Sequence, residues 1–129
     1  MFEMERNDQE LPVLIGQTGP LNGKRWTVED IVVVGRDASC DIMVPERQVS
    51  RRHARFYAEG DSIILEDLGS RNGTHLNGQA VHGSVVLQDG DLVHIALAQQ
   101  FLFLSSDATV PLDMQAPTEE VATVNEQLA

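Results

Sequence analysis

The chain is predicted to fold as an all-β protein, a two-sheet β-sandwich of about eleven short strands. Between residues 11 and 104 short apolar-rich runs are separated by turn pairs: Asn22-Gly23, Glu59-Gly60, Asn77-Gly78 and Asp89-Gly90. Such pairs tolerate the positive φ that tight hairpins demand. Aromatic residues make up only 5% of the chain, so the core must be built from Val, Ile and Leu, which suit a pleated surface. No stretch of this region carries the period of a long helix.

The strands follow in order. Residues 13–16 and 25–28 flank the turn Leu21-Asn22-Gly23-Lys24 and form the first pair. Residues 31–34 are a continuous β-branched run, the mark of a strand buried on both faces, and 41–44 follow after a polar loop. Residues 53–58 and 63–67 flank Glu59-Gly60-Asp61 and read as a hairpin. Residues 74–76 and 80–81 flank Asn77-Gly78, and 84–87, 92–96 and 101–104 complete the set. From Ser105 onward the composition changes to Ala, Thr, Pro, Asp, Glu and Gln, with Pro111 and Pro117 interrupting any regular element. Residues 105–129 are therefore expected to be a disordered acidic tail or linker, with at most a transient helix over 117–128, and residues 1–10 a disordered lead-in. One domain, residues 11–104, remains.

The formal net charge of −11 is unevenly spread. Residues 1–10 carry −3 and residues 105–129 carry −5, which leaves −3 for the eleven acids and eight cations between them. Six of those eight cations are arginines between positions 36 and 71. An acidic chain with a local arginine cluster does not suit general nucleic-acid binding, which needs a net basic surface, yet it suits one compact anion. Cys40 is the single cysteine, so no internal disulfide can form and a reducing, cytoplasmic setting is expected. The acidic start lacks the pattern of a signal peptide, and no apolar run has the roughly 18 residues of a membrane helix. A membrane is not an expected partner.

Four polar clusters interrupt the strands: Gly35-Arg36, Ser50-Arg51-Arg52-His53, Ser70-Arg71-Asn72-Gly73-Thr74 and Asn77-Gly78. Arginine offers a planar fork of N–H donors, and serine and asparagine offer short directional ones, which together suit a dianionic phosphate. Against this, Arg36 has a plainer reading as the surface partner of Asp37 or Asp41, and Asn72-Gly73 as an ordinary turn. His53 as a base for Ser50 would need an orienting acid and an oxyanion site, and the sequence suggests neither. His53 is instead expected to tie the Ser50 loop to its neighbour. The four histidines are dispersed, with no metal-binding spacing, and Gly69–Gly73 lacks the Gly-Lys-Ser/Thr ending of a P-loop. No catalytic residue, cofactor or metal is expected.

In order and spacing these clusters resemble the forkhead-associated (FHA) family, whose members bind phosphothreonine peptides on an FHA/SMAD-like sandwich. The resemblance covers about residues 12–104. It implies that Arg36, Ser50 and Arg51 contact the phosphate, that Arg71 can add to them, and that Asn72 grips the peptide main chain. It makes Gly35, His53, Gly73 and Asn77 loop-structuring residues, with Asn77 helping to hold the binding loops. Ser70 and Thr74 are expected to brace their loop, Arg52 to face away into solvent, and Arg47 and Gln48 to sense a neighbouring ligand side chain. One departure stands out: Ala96 follows Val93-His94-Ile95 where the family usually has glycine, at a strand end expected to lie away from the ligand loops. The partners implied are a phosphothreonine-containing protein or peptide and a Ser/Thr kinase. The chain's own tail is another, if Thr109, Thr118 or Thr123 is phosphorylated. The alternative is a phosphate-independent interaction or scaffold domain, the N-terminal module of a larger regulator.

Overall fold

The computed structural model describes residues 11–106, which form eleven strands in two sheets. They are β1 (Val13–Thr18), β2 (Arg25–Thr27), β3 (Ile31–Gly35), β4 (Ile42–Met43), β5 (Ala54–Glu59), β6 (Ser62–Asp67), β7 (Thr74–Leu76), β8 (Gln79–Ala80), β9 (Ser84–Val86), β10 (Leu92–Ile95) and β11 (Gln99–Leu104). One sheet runs β2-β1-β11-β10-β7-β8 and the other β4-β3-β5-β6-β9. Every expected strand is present, with ends moved by a residue or two. The tail beyond residue 106, its three threonines and the first ten residues lie outside the described residues. Among the described residues no helix is long and apolar enough to cross a membrane.

The two sheets close on one core. Val32, Val34, Phe56 and Leu65 point inward from the five-stranded sheet, and Leu14, Val93, Ile95, Phe101 and Phe103 from the six-stranded one. Inward residues are spaced by two along each strand, as a pleat requires. Phe101 is the join: it meets Phe56 across the sheets edge-on at 6.5 Å and Trp26 at 5.7 Å. A second contact came from no sequence pattern. Gln99, only 1% exposed, accepts from the Leu21 N–H through Oε1 at 2.8 Å and donates Nε2 to the Gln100 carbonyl. A buried amide with both ends satisfied fastens the 19–24 loop to the sheet.

Strand register decides where the polar clusters go. Val34 pairs with Ala54 and Ala54 with Asp67 in one sheet, and Ile95 pairs with Thr74 in the other. The loops after β3, β4, β6 and β10 therefore leave the sandwich at the same end. β3 and β4 form the one parallel pair among the described residues, Val34 with Ile42 and Gly35 with Met43. Chain entry and exit sit at the other end, where Val13 pairs with Leu104 and the Ser105 N–H donates to Asp89 at 2.9 Å.

Asn77 belongs to that far end as well. Asn77-Gly78, with φ of 50° and 87°, forms a two-residue hairpin turn. The Asn77 side chain donates to Asp91 and accepts from the Leu92 N–H at 2.9 Å. It holds the 88–91 turn, one strand length from the arginine clusters, rather than the arginine loops themselves.

Replacing Phe101 with alanine removes the ring that joins both sheets to Trp26, and is expected to cost about 3–5 kcal/mol. A urea midpoint left unchanged, followed by circular dichroism, would contradict that role.

Candidate functional site

The site is assembled where the backbone of residues 50–52 lies flat across the end of β3. Arg36 N–H donates to the Ser50 carbonyl at 2.9 Å, and Asp37 N–H to the Arg51 carbonyl at 3.2 Å. A Cβ at Gly35 would stand 2.1 Å from the Arg51 oxygen and 2.9 Å from Cys40 Sγ. Only glycine lets the two segments touch here. The Cys40 thiol donates to that same Arg51 oxygen at 3.1 Å and seals the crossing from below. Burial pushes this thiol's pKa up, so it serves as a small buried group.

His53 ties this crossing to the next loop. Its ring is fully buried, with Nδ1 accepting from the Ser50 backbone N–H at 3.1 Å and Nε2 facing the Gly73 carbonyl at 2.9 Å. That arrangement requires the neutral ring with its proton on Nε2. Burial lowers its pKa from 6.5, partly offset by the Gly73 hydrogen bond and by Asp67. The ring addresses the backbone of Ser50 rather than its hydroxyl, so the pair is a brace and has no nucleophile–base geometry.

The Gly73 loop is shaped by Asp67, which the sequence reading passed over. Its Oδ1 accepts from the Ser70 and Thr74 hydroxyls, each at 2.6 Å, and its Oδ2 from the Gly69 and Ser70 N–H groups, each at 3.0 Å. Burial alone would raise this carboxyl's pKa, but these four bonds outweigh it and hold the group below 3.8. Ser70 and Thr74 thus brace the loop as expected. Gly73 takes φ of 90°, which a side chain would strain. The one signal in the sequence was Asp67 three residues ahead of Ser70, the spacing of a side-chain-capped turn.

Two bonds join the loops across the top. Arg71 N–H donates to the Ser50 hydroxyl oxygen at 3.0 Å, and Asn72 Nδ2 donates to the Gln48 carbonyl at 2.7 Å. Ser50 keeps its own O–H to give outward. Asn72 keeps its amide oxygen, which has no partner among the described residues. Between the loops lies a groove of about 320 Å³ walled by Arg36, Arg47, Arg51, Arg52 and Arg71, with Gln48, Val49 and Ser50 between them.

Arg52 is among the residues lining the groove, and its charge is also felt by Asp37 and Cys40. Arg36 is anchored by Nε to the Val49 carbonyl at 3.0 Å and pairs with neither nearby aspartate. Asp41 is occupied by the Val33 N–H, and Asp37 by Ser39, whose hydrogen bonds hold its carboxyl below 3.8. The one ion pair among the described residues, Arg55 with Glu66 at 2.6 Å, lies outside the groove lining.

The β10–β11 turn also reaches this site, contrary to expectation. Ala96 N–H donates to the Gly73 carbonyl at 3.0 Å, so that oxygen serves both His53 and Ala96. Ala96 and Leu97 take φ of 54° and 56°, a conformation that costs L-residues roughly 1–2 kcal/mol each. Register forces it: Ile95 and Gln99 pair across only three residues. Among the described residues no group of three or more His, Cys, Asp or Glu is placed to hold a metal.

Asp67→Ala strands the buried Thr74 hydroxyl and three further donors, with an expected loss of about 2–3 kcal/mol in urea unfolding. His53 gives a pH signature. Its charged form is disfavoured in the fold, so the unfolded chain binds more protons. Stability is complete above pH 6.5 and falls as pH drops through the lower folded pKa. Thermal melts from pH 7.5 to 5 are expected to show this decline, and His53→Gln to flatten it.

The FHA domain model matches residues 32–96, half of the chain. The oxoglutarate dehydrogenase inhibitor of Corynebacterium jeikeium is 37% identical over 84 residues, covering 64% of this chain and 58% of that protein. The glycogen accumulation regulator GarA of Mycobacterium tuberculosis is 38% identical over 84 residues, covering 64% of this chain and 51% of that protein. The chain thus spans little more than half the length of these relatives. Among solved structures, a chain from a study of phosphothreonine-dependent FHA domain interactions superposes with a TM-score of 0.66 at 25% identity, covering 79% of this chain and 99% of that one. M. tuberculosis EmbR, solved with a low-affinity phosphopeptide, superposes at 0.71 and 26% identity, covering 84% of this chain and 30% of that one. A family model laid over the crossing, the braced loops and both sheets leaves one conclusion: this chain belongs to the forkhead-associated (FHA) family.

Proposed function

We propose that residues 11–104 form a non-enzymatic module that binds phosphothreonine peptides of partner proteins in Ser/Thr kinase signalling. The observation that carries this reading is the groove itself, where exposed arginines that make no ion pair among the described residues line one cleft with Ser50. Arg36, Ser50 and Arg51 take the phosphate, Arg71 adds to them, and Asn72 accepts from the peptide main chain. Gly35, His53 and Gly73 set the loops that carry these groups.

A phosphothreonine brings nearly two negative charges and three acceptor oxygens. Charge-assisted bonds contribute about 1.5–3 kcal/mol each, so three or four offset ordering costs and approach the roughly 8 kcal/mol of a micromolar complex. Little of this energy is lost to rearrangement, because the loops are already joined at Ser50–Arg71 and Gln48–Asn72. The reading puts the protein in the cytoplasm, downstream of a kinase. Its own tail, phosphorylated at Thr109, Thr118 or Thr123, is a second ligand of the same chemistry.

Arg36→Ala is expected to weaken binding of a phosphothreonine peptide library by more than about 2 kcal/mol, near thirtyfold. Fluorescence polarisation with phosphorylated and unphosphorylated libraries checks it. Binding that ignores phosphorylation and survives the substitution would overturn the proposal in favour of phosphate-independent docking.

A further inference from the structure

The outer face of the six-stranded sheet carries an apolar patch that the core does not explain. Along β1 and β11 the inward residues Leu14, Phe101 and Phe103 belong to the core, so the alternate residues Val13, Ile15, Leu102 and Leu104 face the other way. Register puts Val13 beside Leu104 and Ile15 beside Leu102, one block across two strands. An outer face meets water, yet Val13 is 1% exposed, Ile15 3% and Leu104 7%. Leu102 is the one apolar side chain packed against them among the described residues, and their partners on β2, Arg25 and Thr27, are themselves exposed. The sandwich has two layers, and no described strand lies over this face. The burial is a property of a single copy of the chain, so a second molecule does not supply it.

Val13 and Leu104 border the patch, which puts both ends of the chain within reach of it. Residues 5–10 are uniformly polar, and the apolar Phe2 and Met4 lie past them, nine or more residues from Val13. The other end differs, because Val110 is six residues from Leu104. Val110, Leu112 and Met114 are spaced by two, so an extended backbone places all three on one side, with Pro111, Asp113 and Gln115 on the other. Pro111 pushes Val110 toward an extended conformation, and its missing N–H is no loss to a segment that lies on a sheet face without pairing to it. Ser105, Ser106 and Asp107 are turn-forming residue types, and Ser105 is fixed to Asp89 through its N–H at 2.9 Å and its hydroxyl at 3.1 Å.

We infer that the outer face of the six-stranded sheet is a dock for the chain's own residues 107–115, which double back along β11 and lay Val110, Leu112 and Met114 on Val13, Ile15, Leu102 and Leu104. The tail is then not a uniform linker: an anchored apolar stretch precedes the run Thr118-Glu119-Glu120. A segment returning antiparallel to β11 travels toward the loop end, so Thr118 and Thr123 start from the end of the sandwich that holds the arginine groove.

The test is methyl NMR on the full chain. Nuclear Overhauser contacts from the Leu112 and Met114 methyls to those of Ile15 and Leu102 are expected. L112D is expected to erase them, shift the Ile15 and Leu102 signals, and lower the thermal midpoint by about 4 °C. D113N, on the outward side, is expected to keep both the contacts and the midpoint. Contacts to Ile15 and Leu102 from Phe2 or Met4 instead overturn the assignment in favour of the N-terminal segment. Contacts between differently labelled molecules, growing with concentration, overturn it in favour of a second copy. No contact to the patch from any of these, with L112D melting as the parent chain does, removes the inference.

Discussion

A neutral imidazole buried between two loops is the constraint on which the arginine groove depends. His53 accepts one backbone N–H and faces one backbone carbonyl, so it holds Ser50 at a fixed distance from Gly73. The Ser50 loop is rooted in the core by Val44 and Val49, and the Gly73 loop is held by Asp67. With the ring between them they act as one body, and Asp67 and Gly35 fix its two halves from behind. The arginines that line the groove are exposed and lightly held, which on the proposed reading suits an exchangeable ligand. Rigidity lies underneath, in groups that never meet the ligand.

The sequence foretold this architecture best where a single local rule decides the outcome. Three of the four turn pairs marked hairpins, Asp89-Gly90 instead joining β9 to β10 in the other sheet, and the β-branched run at 31–34 marked a buried strand, with shifts of a residue or two. His53 was legible as a brace because a lone histidine opening a strand, with no acid to orient it, has few other uses. The parts that escaped depend on register, which sequence patterns do not carry. Arg52 alternates with Arg51 along an extended segment and would face outward on a flat sheet. It nonetheless lines the groove beside Arg51. Ala96 was placed at a remote strand end, whereas the β7–β10 pairing brings it to Gly73. Asp67 was hidden because a carboxylate with four donors looks the same in sequence as one in water.

Charge is partitioned within the fold as well as along the chain. Three acids of the loop end have structural duties: Asp67 shapes the Gly73 loop, Asp41 holds Val33, and Asp37 turns toward Ser39. Among the described residues none of the three makes an ion pair with an arginine of the groove. An acidic chain thereby gathers five of its arginines around one groove.

The far-end exit of the chain sets a tether length for any ligand carried on the same polypeptide. β11 alone spans six residues, about 20 Å, and a tail leaving Leu104 must climb at least that far and then cross to the other sheet. Thr109 is five residues on and reaches roughly 17 Å at full stretch, short of the groove. Thr118, fourteen residues on, reaches roughly 48 Å and has slack. For a ligand carried on the same molecule the sandwich would thus work as a ruler, leaving Thr109 to reach only the groove of a second copy while Thr118 and Thr123 have the length to reach either.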